Sequence, residues 1–165
     1  MVTNALILLS CLLMASISTL TWNINGGHDS LRRYQILSYL NVDHHNDFCF
    51  LQETHSTIDS QAQWQIIWRS PIYFSHGTSN SAGVAILFPK RKQVNVISQS
   101  SVVRGRLLHL HVTVDEQPFH LVNVYAPYSG EERLRFFAQL KKFLNSINDD
   151  PVIMGEILIV RSFLT

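Results

Sequence analysis

The sequence predicts a layered α/β or α+β sandwich built as one domain, and three observations carry that expectation. Short strand-like segments, several of them apolar throughout, alternate with segments of helical periodicity. One pair of strands is joined by too short a break for a crossover, so hairpins are mixed with crossover helices and the sheet is not purely parallel. A length of 165 residues supports one domain with a real core and is short for two.

Residues 17–24 read as the first strand. It runs into Thr21-Trp22-Asn23-Ile24-Asn25-Gly26-Gly27, a turn crowded with asparagine and glycine. A helix follows from about residue 30 to 40, with Ser30 as its cap and Leu31, Tyr34, Leu37 and Leu40 as its apolar stripe. Residues 48–51 (FCFL) form a strand apolar on both faces, as buried strands are. A second helix fits residues 59–68. Residues 83–88 (GVAILF) are another buried strand, stopped by Pro89, and Lys90-Arg91-Lys92 form a basic turn.

Residues 108–114 alternate: Leu108, Leu110, Val112 and Val114 take one face, and His109, His111 and Thr113 the other. Gln117-Pro118 interrupts, and residues 119–125 (FHLVNVY) form the return strand of a hairpin. Ser129 and Glu132 have capping-box spacing and open a helix to about residue 147, with Leu134, Phe137, Leu140 and Leu144 inward. Asp149-Asp150-Pro151 closes it, and Val152-Ile153-Met154 starts a last strand.

The bulk composition sets bounds. Apolar residues are 46% and charged residues 15%, a globular balance and not a disordered one. A net charge of +1 leaves nucleic-acid binding to local basic faces. The two cysteines, Cys11 and Cys49, form no metal-type spacing or disulfide framework and fit a reducing compartment, nuclear or cytoplasmic. Residues 1–13 (MVTNALILLSCLL) resemble a signal-peptide core but lack its basic leader, so an extension over residues 1–15 is preferred to secretion. Met14 is an alternative start. The run is too short to be read as a membrane span.

Polar clusters stand at the strand ends: Asn23 and Asn25, then Gln52-Glu53-Thr54, then Tyr125-Ala126-Pro127, then Gly155-Glu156. In layered folds such ends converge on a crevice. An asparagine, a glutamate and a tyrosine together suit a hard cation such as Mg2+. Taken singly, each is ordinary turn or packing chemistry. Eight histidines invite a zinc reading at His109, His111 and His120, but no cysteine or carboxylate completes a set by spacing, and a solvated polar face is the plainer reading. His55 lies two residues beyond Glu53 and receives no role.

Five motifs in order, TWNINGG, LQETH (51–55), SAGVAILF (81–88), VNVYAP (122–127) and VIMG (152–155), resemble the endonuclease/exonuclease/phosphatase superfamily. Within it the sequence is most similar to the apurinic-type endonuclease domain of LINE-type retrotransposons. The resemblance spans residues 16–155. It implies a DNase I-like two-sheet sandwich flanked by helices, a monomer, and Mg2+-dependent (or Mn2+-dependent) hydrolysis of DNA phosphodiesters without an organic cofactor or a membrane partner. It implies Glu53 as metal ligand, Asn23 beside the metal and phosphate, and Tyr125 with its hydroxyl next to the scissile phosphate. DNA contacts are expected from Asn25, Arg32, Arg33, Arg104 and Arg106, with the glycines beside Asn25 approaching phosphate closely.

The family pattern breaks after Gly155. Members continue with Gly-Asp-Phe-Asn, whereas Glu156-Ile157-Leu158 stands here, and the later Ser-Asp-His motif is missing from the 165 residues. The resemblance assigns water activation and phosphate binding to those groups, so an inactive or nearly inactive chain is expected. Residues 156–165 read as a divergent tail, from a frame change, a retained intron or a decayed element. An incomplete domain is expected to leave apolar surface and strand edges open. A fragment of a cellular apurinic-site repair nuclease and a non-catalytic nucleic-acid-binding module are the alternatives.

Overall fold

The computed structural model describes residues 16–43, 46–88 and 93–156. The signal-like run, the His44-His45 loop, the Lys90-Arg91-Lys92 turn and the tail beyond Glu156 lie outside the described residues. Strands β1 (Thr19–Asn23), β2 (Phe48–Gln52), β3 (Ile72–Ser75) and β4 (Val84–Leu87) form one sheet, in the order β1-β2-β4-β3. Strands β5 (Val94–Val103), β6 (Leu107–Val114), β7 (Gln117–Val124) and β8 (Val152–Glu156) form the other, in the order β5-β6-β7-β8. Helices α1 (Ser30–Asp43) and α2 (Gln61–Trp68) fall between β1 and β3, and α3 (Gly130–Leu144) between β7 and β8.

Both kinds of connection predicted from the sequence are present. β1 and β2 are parallel across α1, β7 and β8 are parallel across α3, and β6 and β7 are an antiparallel hairpin. The alternation of side chains decides the layers. Phe48, Phe50, Val84 and Ile86 point from the first sheet onto Leu108, Leu110, Val112 and Leu121 of the second, forming the core between the sheets. Cys49, Leu51, Ala85 and Leu87 point the other way and pack with Leu37, Leu40, Trp64 and Trp68 of α1 and α2. Phe136 and Leu140 of α3 cover Leu107, Val122 and Val124. All of FCFL is buried because both faces of β2 are covered.

A buried amide pair joins β2 to β7 across the two sheets. Gln52 and Asn123 are fully buried, and Gln52 Nε2 donates to Asn123 Oδ1 at 2.7 Å. Asn123 Nδ2 donates in turn to the carbonyls of Leu51 (2.9 Å) and Ala85 (2.7 Å), so an amide on β7 ties itself to both β2 and β4. Gly155 lets β8 pack closely against β2 of the facing sheet, since a Cβ there would lie 2.4 Å from Phe50 Cβ.

Several local readings need correction. Leu31 and Tyr34 are exposed; the inward face of α1 is Arg33, Ile36, Leu37 and Leu40. Asp29, not Ser30, caps α1, since its Oδ1 accepts from Arg32 N at 2.8 Å. Ser129 has the extended backbone of an N-cap but its side chain makes no cap bond. Leu134 is exposed, and Phe136, Leu140 and partly buried Phe143 are what α3 turns inward. The histidine face of the hairpin is not solvated: His109 and His120 are buried, and His109 meets Phe143 edge-on with ring centroids 4.9 Å apart. β3 and β5 were not anticipated, because β3 is only four residues and most of β5 is polar and exposed. The last strand is less buried than its sequence suggests, with Val152 and Met154 both partly open to solvent.

The amide bridge yields a stability prediction. Asn123→Leu keeps the volume but strands two buried carbonyls and Gln52, and it should destabilise the fold by about 2–4 kcal/mol. Urea denaturation would measure it; a loss under about 1 kcal/mol would mean that the bridge is dispensable.

Candidate active site

The site is assembled by two loops zipped together along their backbones. Gly26 N donates to Glu53 O at 2.7 Å and Gly27 N to Thr54 O at 2.9 Å, so the turn after β1 lies against the turn after β2. On the other flank Thr54 N donates to Gly83 O at 3.0 Å and His55 N to Ala82 O at 2.9 Å. The glycines therefore serve packing: a Cβ on Gly27 would lie 2.6 Å from the Trp64 ring. Their N–H groups are spent on protein carbonyls, which corrects the expectation that they approach a phosphate.

Glu53 sits at the centre with φ +51°, and its loop neighbours Asn25 and His55 have φ +46° and +50°. Left-handed backbone at non-glycine residues is uncommon and persists where the surroundings enforce it. Here the loop-to-loop hydrogen bonds enforce it. The turn projects the Glu53 carboxylate beyond the sheet edge, while the preceding Gln52 points into the protein.

Asn23 Nδ2 donates to Glu53 Oε1 at 2.8 Å, and Asn23 Oδ1 accepts from Asn25 N at 3.0 Å. The second bond fixes which end of the amide faces the carboxylate. Tyr125, just past the end of β7, lies beside Glu53, close enough for the carboxylate to act on its hydroxyl. Burial first, and then the hydrogen bond and charge of Glu53, push the Tyr125 phenol up to about 12 against the opposing pull of Arg106. Tyr125 is thus a neutral O–H donor at physiological pH. The Arg106 guanidinium lies 5.2 Å from the centre of the Tyr125 ring and donates to the Tyr125 carbonyl at 3.3 Å. The structure brings Asn23, Glu53 and Tyr125 together from the ends of three strands in two sheets.

His55 adds a nitrogen 3.9 Å from Glu53 Oε2. Burial lowers its pKa, helped by His28 and Arg32 and opposed by Glu53, so it is neutral near pH 7 and the contact is not an ion pair there. The sequence placed His55 near the site by adjacency; its ring also packs over Gly26, where a Cβ would lie 3.0 Å from Nδ1.

The proposed DNA contacts divide. Arg104 is exposed, and Arg106, in the turn just before β6, is half-buried beside Tyr125. Arg32 is exposed and reaches back to Ile24 O at 2.8 Å, next to the site loop. Asn25 is exposed at the loop tip. Arg33 is different: it is 2% exposed, and its guanidinium donates to Gly27 O and His28 O at 3.0 Å each and to Gln63. It closes the site loop from beneath and has no surface to offer DNA. Gln52 and Asn123, which no site reading singled out, hold the ends of β2 and β7 side by side; their signal was a buried amide within each apolar strand motif.

The donor set fits a hard divalent cation. One carboxylate with a neutral amide, a phenol and room for water matches Mg2+, which keeps several waters and takes one or two carboxylates. Glu53 would hold such an ion, with the remaining lone pair of Asn23 Oδ1 beside it.

A two-sheet sandwich with helices on its outer faces and polar groups gathered at the strand ends is a DNase I-like architecture. The model of the Endonuclease/Exonuclease/phosphatase family matches residues 20–155, and the chain belongs to that family. It is 42% identical over 139 residues to the transposon TX1 uncharacterized 149 kDa protein of Xenopus laevis, covering 84% of this chain and 10% of that one. The chain thus spans about a tenth of that relative's length. Among solved structures it resembles D. rerio TDP2 complexed with single strand DNA product (TM-score 0.62, 20% identity, 84% of this chain and 58% of that one). It also resembles an AP endonuclease from Archaeoglobus fulgidus (TM-score 0.57, 20% identity, 81% and 53%). At such identity these two likenesses concern the fold. Among the described residues no helix is long and apolar enough to cross a membrane.

The Tyr125–Glu53 contact can be titrated. Glu53→Gln removes both a strong acceptor and a negative charge, so Tyr125 should ionise at lower pH than in the wild type. Tyrosinate absorbance, taken as the difference from a Tyr125→Phe control, reads this directly; an unmoved or raised midpoint would separate the two groups.

Proposed function

We propose that this chain presents one wall of a divalent-cation-dependent phosphodiesterase site for DNA, of the kind borne by retrotransposon-like elements. The observation that carries the proposal is Glu53, held in place by Asn23 and Tyr125 at the ends of strands from both sheets. Likeness to a transposon protein at 42% identity favours a mobile-element origin over a cellular repair nuclease.

When bound, Mg2+ supplies charge neutralisation for the phosphoryl oxygens. Asn23 orients the carboxylate so that it meets the cation without rearranging. Tyr125 stays protonated, and its O–H, directed to Glu53 here, can turn to a phosphate oxygen instead, with Arg106 placing positive charge behind its ring. Arg32, Arg104 and Arg106 supply salt-dependent backbone attraction, and Asn25 an exposed amide at the loop tip.

The 165-residue polypeptide by itself should turn over slowly. After Gly155 the chain reads Glu156-Ile157-Leu158-Ile159, where the family pattern has Asp-Phe-Asn either directly or after a second glycine. Catalytic groups that act as a unit fail together when one is removed. The same departure keeps a second reading in play: a module that binds nucleic acid without cutting it.

Supercoiled plasmid with Mg2+ tests this. The polypeptide should nick no faster than its Glu53→Ala variant. A chimera that restores Asp-Phe-Asn at 156–158 and adds the C-terminal part of a complete relative should nick, and should lose about 100-fold or more with Glu53→Ala. Nicking by the polypeptide alone that depends on Glu53 would overturn the low-turnover claim. An inactive but folded chimera that still binds DNA would favour the binding module.

A further inference from the structure

The histidine face beneath α3 holds a second constellation, remote in sequence from Glu53. His111 on β6, His120 on β7 and Asp150 in the loop before β8 each offer a ligand atom, and these atoms lie within 4.8 Å of one another. Sequence spacing could not supply the carboxylate, because Asp150 is 39 residues from His111 and arrives through the α3 crossover. We propose that His111, His120 and Asp150 form a Zn2+ site that staples the β6–β7 hairpin to the loop leading into β8.

Two imidazoles and a carboxylate are a donor set zinc takes readily, with a fourth position left for water. Tetrahedral geometry at Zn–N distances near 2.0 Å puts ligand atoms about 3.3 Å apart, so a modest contraction closes the site. Its parts are already drawn together. His111 Nε2 lies 3.0 Å from Asp150 Oδ2, and the His111 and His120 rings stack with centroids 4.5 Å apart. Asn148 Nδ2 donates to Asp150 Oδ2 at 2.7 Å and aims that carboxylate, while Asn148 Oδ1 accepts from His120 Nε2, a bond that the ion would replace. Asp150 and His111 are partly exposed, which leaves an entry path and freedom to move.

The outer partners suit a metal-bound His120. If Nε2 takes the ion, Nδ1–H can donate to His109 Nε2, 2.8 Å away, and His109 Nδ1–H can donate to Ser100 Oγ at 3.3 Å. Metal-binding histidines are normally oriented through their second nitrogen in this way. The site is distinct in kind from Glu53: nitrogen-rich donors select zinc, and oxygen donors select magnesium.

Calorimetric titration of the full chain with ZnCl2, in buffer containing excess Mg2+, tests the proposal, with thermal denaturation in parallel. One Zn2+ per chain and a raised Tm are expected. Asp150→Asn and His111→Gln, both at partly exposed positions, should each weaken uptake at least about tenfold and abolish the rise in Tm. Far-ultraviolet circular dichroism verifies that each variant is folded. Absence of uptake by the wild type, or equal uptake by the folded double variant, would overturn the site.

Discussion

The contact between the Gln52 and Asn123 amides is the constraint on which both the fold and the site depend. It lies inside the sandwich, where water cannot replace it, and it joins strands 71 residues apart in sequence. The next residue after Gln52 is Glu53, and Tyr125 is two residues after Asn123. The same hydrogen bonds that fasten the sheets therefore set the distance between carboxylate and phenol. An apolar pair could hold the sheets equally well, but it would not fix their relative register. Unsatisfied buried amides are costly, so the register that gives Asn123 Nδ2 both of its carbonyls and Asn123 Oδ1 its Gln52 donor is favoured over a slid one.

Around that anchor the site balances its charges. Glu53 brings one negative charge, Arg106 an opposing cation at the far side of Tyr125, and His55 stays neutral through burial. Tyr125 is held protonated by burial and then by Glu53, and is not activated by its neighbour. The arrangement is that of a rigid acceptor with donors around it, and not that of an acid–base pair. Left-handed backbone at Asn25, Glu53 and His55 shows that the two loops hold conformations they would not adopt alone.

The layers were legible in the sequence because strand alternation and apolar runs are local signals. FCFL, GVAILF and the β6–β7 hairpin fell where their patterns put them. Asn23, Glu53 and Tyr125 were legible only through motif order, since each alone is common turn or packing chemistry. What stayed hidden is what depends on distant partners. Arg33 reads as a surface cation until Gly27, His28 and Gln63 are seen to consume it. The His109 face reads as solvated until α3 is laid over it, and Leu134 reads as core until α3 is seen to turn Phe136 inward instead. Asp150 reads as a helix stop until the crossover carries it to His111.

The central claim is that Glu53, positioned by Asn23 and Tyr125, is a divalent-cation site in this chain. Mn2+ is a paramagnetic stand-in for Mg2+, and the enhancement of water-proton relaxation on binding counts sites without any need for turnover. Wild-type protein should bind one Mn2+ that Mg2+ competes away. Glu53→Gln should lose that site, and Asn23→Ala should weaken it about tenfold, while His111→Gln should leave it intact. Mn2+ binding that persists unchanged in Glu53→Gln would contradict the account.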